Sequence, residues 1–130
     1  MDNEKVFRMG FARIYPLLLN KAVKKGRTPE EVRTVIRWLT GYSGEDIDRL
    51  LGSDISYGDF FRNAPAMNPN REKIRGTVCG VRVEAVEDPL MREIRRLDLL
   101  VDELARGKAM EKCRFVNDVL QDREKKKGPV

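Results

Sequence analysis

The chain predicts an all-α fold, a compact orthogonal bundle of five to seven helices with no significant sheet. Three observations carry this expectation. Helix-capping sequences recur along the chain, apolar residues between them step by three or four, and glycines stand where those stripes end. At 130 residues and 41% hydrophobic content, the chain fits one domain with a real core.

The first stripe runs Phe7, Phe11, Ile14, Leu18 and Ala22, with Pro16 expected to kink or split its helix. Thr28-Pro29-Glu30-Glu31 then opens a second helix with a capping box, and proline takes the first helical position. Val32, Val35, Ile36 and Leu39 form its inner face, with Trp38 beside it. Ser43-Gly44-Glu45-Asp46 and Ser56-Tyr57-Gly58-Asp59 repeat the capping logic with a shorter acid. The first leads into Ile47, Leu50 and Leu51, the second into Phe60 and Phe61. Asp88-Pro89 caps the longest helix, whose Leu90, Ile94, Leu97, Val101 and Leu104 step 4-3-4-3. Asp102 and Arg106 form an i,i+4 pair on it. The same stripe would serve a two-helix seam, so the expected state is a monomer or weak homodimer, with core packing the favoured use. Gly26, Gly41, Gly52 and Gly107 mark helix ends. Short connections at Gly26-Arg27, Gly41-Tyr42 and Glu87-Asp88 make successive helices neighbours.

Thr77–Val86 reads two ways. Val81, Val83 and Ala85 alternate as in a strand, whereas Ile74, Val78, Val81 and Ala85 step as in a helix. The helix is the expectation taken here, because a lone strand would leave its backbone groups unpaired. Residues 1–113 are read as the single helical domain, and 114–130 as a basic extension, partly disordered.

Composition narrows the chemistry. Histidine is absent, which removes the commonest general base near neutral pH, the Ser-His and Cys-His nucleophile systems and the usual zinc ligands. Cys79 and Cys113 form no C-x-x-C pair, and reduced thiols are expected. Asp98, Asp102 and Glu103 lack a Glu-x-x-His companion, so they read as a solvated face and not a metal site. No catalytic residue, metal site or cofactor is expected. No apolar run approaches the roughly 20 residues a membrane span needs. The N-terminus MDNEKVFRMG shows no apolar targeting stretch, which points to the cytoplasm.

The net charge of +5 is uneven, with basic ends and an acidic middle. Basic ends can meet nucleic acid, but no aromatics interleave the basic tail, and nucleic acid is not the favoured partner. Trp38 to Leu50 loosely imitates a helix-turn-helix, yet its second helix would show Glu45, Asp46 and Asp48 to phosphates. The candidate ligand-binding residues are Asn68, Asn70, Arg71, Arg75, Arg82 and Tyr42. Asn68-Pro69 starts a helix, Arg71 and Arg75 sit one turn apart on it, and Arg82 follows two turns on. Together they would hold a small anion or an acidic protein. The competing reading pairs these arginines with Glu72, Glu84, Glu87 and Asp88.

The segments GRTPEEV, WLTGY, APAMNPNR, CGVRVE, EDPLMREIR and VDELARGKAMEK resemble the bacterial family called domain of unknown function 2200, over roughly residues 4–113. The resemblance implies a small, cytoplasmic, mostly helical bacterial protein with no assigned activity or site. Arg96 and Leu99 depart from the family pattern, standing where an aromatic and a lysine are expected. The leading functional expectation is an interaction or ligand-binding module. The alternatives are an enzyme using carboxylates or Cys79, and nucleic-acid binding through the basic ends.

Overall fold

Capping chemistry divides the chain where the sequence places it. The computed structural model describes residues 3–78 and 80–106. Expectations for Cys79, Gly107, Cys113 and the 114–130 extension lie outside these residues. Six α-helices follow in order: α1 Asn3–Arg8, α2 Phe11–Val23, α3 Pro29–Thr40, α4 Gly44–Leu51, α5 Tyr57–Arg62 and α6 Pro89–Ala105. Between α5 and α6 lie 3-10 turns at Pro69–Lys73 and Val83–Ala85, and strands β1 Thr77–Val78 and β2 Val81–Arg82. The fold is all-α with this one small hairpin. Among the described residues, no helix is long and apolar enough to cross a membrane.

Reciprocal capping boxes close at Thr28/Glu31 and Ser43/Asp46. The Ser56 side chain accepts the Asp59 amide, and Asp88 accepts those of Leu90 and Met91. The helical break expected at Pro16 falls instead at Gly10. There the chain leaves α1 in extended conformation and forms a short bridge to the segment before α5. The Phe11 amide donates to the Ile55 carbonyl at 2.9 Å, and the Tyr57 amide to that of Met9 at 2.6 Å. Pro16 stays within α2 on its exposed side, where its ring faces water and not a packed neighbour.

The core forms around α6, which packs against α2, α3, α5 and the hairpin. The 4-3-4-3 stripe is buried from Ile94 to Leu104, and Met91, Leu99 and Leu100 widen it, so α6 is enclosed on more than one face. Beside it, Phe11 and Phe60 stack with ring centroids 4.0 Å apart, and Phe61 meets Phe60 edge-on at 5.3 Å.

The expected helix over Thr77–Val86 is not formed. Thr77 pairs with Arg82 and Val78 with Val81, antiparallel. Gly76 and Gly80 have φ of +144° and +77°, which side-chain-bearing residues rarely adopt and an α-helix excludes. The strand partner that the segment lacked was the segment itself, folded back at Gly80. Ala85, which the helical stripe would bury, is exposed. The Glu84 carboxylate accepts the Gly76 amide at 3.1 Å and ties the hairpin's base.

Asp98 and Asp102 are not a solvated face. Asp102 pairs with Lys21 of α2 at 3.3 Å and with Arg106 at 3.0 Å. Asp98 is mostly enclosed, and burial raises its pKa against the opposing pull of Arg95 and Lys21, with Asp102 adding to the rise. The Tyr57 hydroxyl is buried without a hydrogen-bond partner, and burial, reinforced by the Asp98 charge, pushes its pKa well up.

A Cβ on Gly41 would come within 2.8 Å of the Ala66 backbone at a φ of +81°. Gly41→Ala is therefore expected to cost at least about 2 kcal/mol in urea unfolding. Tyr57→Phe should raise stability by roughly 1 kcal/mol, because it removes an unpaired buried hydroxyl. Tyr42→Phe should lower it by about the same amount, because it strands the Phe60 carbonyl that the Tyr42 hydroxyl satisfies at 2.7 Å. A raised carboxylate pKa means the folded state holds its proton more firmly than the unfolded chain. The stability tied to that proton is present below about pH 4, the unfolded value, and is lost as pH rises through the folded one. Asp98→Asn should thus raise the melting temperature at pH 7, with the gain vanishing near pH 4.

Candidate functional site

The 64–82 segment is positioned by the C-terminus of α3. Helix ends leave carbonyls unpaired, and here the Leu39 and Thr40 carbonyls accept the amides of Asn68 and Ala66 at 2.9 and 3.1 Å. Thus pinned, the chain enters the 3-10 turn at Pro69, and the Asn68 side chain caps it by accepting the Asn70 amide at 2.8 Å. The cap is as expected, but the element is a five-residue 3-10 turn and not an α-helix. Ile74 and Val78 are buried, which fixes the turn and hairpin against the body of the protein.

The candidate residues separate into three groups. Tyr42 belongs to the core: it is 6% exposed, its hydroxyl is bonded to Phe60, and burial raises its pKa. Asn68 and Arg71 are brought together, since Arg71 Nη1 donates to the Asn68 carbonyl at 2.9 Å. Arg71 Nε also donates to Glu93 on α6 at 2.6 Å. Asn70, Arg75 and Arg82 are exposed. Arg82 comes no closer than 3.9 Å to the Glu84 carboxylate, and Arg75 forms no ion pair with a described residue. Glu84 lies near both: hydrogen bonds to backbone amides, with the charges of Arg82 and Arg75 adding less, hold its pKa down.

Two residues of this region lay outside the candidate set. Glu93 accepts Arg71 on one carboxylate oxygen and Arg96 Nη1 on the other, the latter at 2.5 Å. The Arg96 side chain is 10% exposed, and its Nε is buried without an acceptor. The Arg71 partner is therefore Glu93, none of the four acids the sequence suggested. An i,i+3 pair on a helix gives no sign that a third group 22 residues earlier in the chain joins it. Arg92 is spent locally, donating to the Val86 carbonyl at 2.8 Å.

Elsewhere the α3–α4 corner is tied by Arg33, which donates to the Gly44 carbonyl at 2.8 Å and pairs with Asp48 at 2.9 Å. Helix α4 buries Ile47 and Leu50 and turns Glu45 and Asp48 outward, an acidic face. Among the described residues, no group of three or more Cys, Asp or Glu side chains is placed to hold a metal ion.

The fold is shared. The crystal structure of an uncharacterized protein, SP1917, superposes with a TM-score of 0.81 at 46% identity, covering 95% of this chain and 96% of that one. No curated protein matches the chain. The model of a family described as uncharacterized protein conserved in bacteria matches residues 5–114. The chain belongs to that bacterial family, domain of unknown function 2200.

Proposed function

We propose that the protein is a small binding module without catalysis of its own, which holds an acidic partner or a small anion on the rim formed by Asn68 to Arg82. One observation carries the reading. Arg82 meets a carboxylate only at the 3.9 Å of its loose pair with Glu84, Arg75 forms no ion pair with a described residue, and both exposed cations flank a hairpin that buried side chains and the Glu84–Gly76 bond hold in place. A cation on a fixed support gives up little freedom when it meets a ligand, which favours recognition. A cytoplasmic location, and a monomeric or weakly dimeric state, belong to the same proposal. Two cysteines in 130 residues fit a reducing compartment.

The arginines divide the labour, and this can be tested. Arg71→Ala should cost about 2 kcal/mol, because it removes the charged hydrogen bond to Glu93 and the bond to the Asn68 carbonyl that tie the turn to α6. Arg75→Ala and Arg82→Ala should each change stability by less than about 0.5 kcal/mol. An NMR titration of the full chain with a glutamate-rich peptide should move amides of residues 68–82, and the Arg75→Ala, Arg82→Ala double variant should lose that response. Shifts confined to Lys5, Arg13, Lys24 and Lys25 would instead transfer binding to the basic α1–α2 surface and sink the rim.

A further inference from the structure

We infer that Arg71, Glu93 and Arg96 form a site for a single oxyanion, a phosphate or a small carboxylate, in which Glu93 holds the place of part of the ligand. The inference deepens the reading above, on which it rests for the sign of the ligand's charge. Charge is the first argument. Two guanidiniums share one carboxylate, so the cluster keeps one positive charge uncompensated. Exposures of 24%, 13% and 10% for the Arg71, Glu93 and Arg96 side chains leave little water to offset that charge.

Hydrogen-bond inventory is the second argument. A guanidinium brings a fork of donors and no acceptor, and it cannot shed its proton to escape burial. Each guanidinium touches Glu93 through a single nitrogen: Nε for Arg71 and Nη1 for Arg96. Neither makes the two-pronged contact that guanidinium–carboxylate pairs favour. Arg96 Nε has no acceptor at all. Arg71 Nη1 is met by the Asn68 carbonyl, yet with one carboxylate and one carbonyl between two guanidiniums, donors still outnumber acceptors. An oxyanion supplies what is missing, namely negative charge and several acceptor oxygens in one small group.

Access is the third. Arg71 is the most open of the three, and it projects from the turn that carries Asn68 and Asn70 at the surface. Glu93, by repelling a second anion, sets the affinity. Replacing it with a neutral side chain raises the cluster's charge from one positive unit to two.

The test uses the full-length chain with isotope-labelled arginine, titrated with inorganic phosphate and, in a parallel arm, with acetate. The Nε–H resonances of Arg71 and Arg96 are expected to move together and to saturate in at least one arm. The arm with the lower Kd identifies the ligand as phosphate or carboxylate. If both resonances stay fixed in both arms while only exposed arginines drift without saturating, the inference is overturned. Glu93→Gln should tighten the anion on the order of tenfold, and an affinity unchanged or weakened would show that Glu93 does not compete. Should that variant fail to fold, the wild-type titration decides alone. The Arg75→Ala, Arg82→Ala double variant separates the two readings. Saturation at Arg71 and Arg96 that persists there sustains the buried site even if the rim binds no acidic peptide. Peptide binding with no response at Arg96 sustains the rim alone.

Discussion

The seam between α3 and the segment that follows α5 governs the rest of the molecule. Gly41 ends α3 with a φ of +81°, and Ala66 lies so close that no side chain fits between them. That approach lets Ala66 and Asn68 donate to carbonyls at the end of α3 which would otherwise lack partners. The seam fixes where the 3-10 turn begins, and so where Arg71 leaves the backbone. Without it, Arg71 would have no reason to meet Glu93, 22 residues further along. A single glycine thus connects the core to the polar face of the protein.

The helix α6 carries both a hydrophobic and an electrostatic task. Its apolar residues face neighbours on several sides, as suits the longest helix of a small bundle. Arg96 is the exception, a nearly buried cation on the same helix. Removing a charge from water costs several kcal/mol, and one shared carboxylate returns only part of this. A hydrophobic residue at that place would serve stability better. In some proteins such groups are retained for a geometric requirement, and the unmet Arg96 Nε is the observation that the inference above builds on.

What could be read from the sequence was what depends on near neighbours. Thr28, Ser43, Ser56 and Asp88 cap their helices because the groups they satisfy lie two or three residues on. The α6 stripe was legible for the same reason. The hairpin was not, because Ile74, Val78 and Val81 satisfy a helical step and a short extended pairing alike. The deciding facts are the positive φ values of Gly76 and Gly80, and two glycines four apart also suit close helix packing. Tyr42 is among the candidates by sequence, but the structure places it in the core. Its true partner, the Phe60 carbonyl, is 18 residues away. The Arg71–Glu93–Arg96 cluster escaped for a related reason: ion pairs carry no periodicity, and several acids stood nearer in sequence than Glu93.

The cations of the polar face differ in what their environment permits. Arg75 and Arg82 stand in water, where screening weakens any one contact and recognition depends on a rigid support. Arg71 and Arg96 stand where water is scarce, so each unmet donor weighs more and a single well-placed oxyanion gains more. On the two readings proposed above, one chain would carry a screened rim for an acidic partner beside an enclosed cluster for a small anion. The seam at Gly41 positions both, through the turn that bears Arg71 and the hairpin that bears Arg82. Arg71 bonds both Glu93 and the Asn68 carbonyl, so on those readings a ligand that drew Arg71 away from Glu93 would act on the turn that leads into the rim.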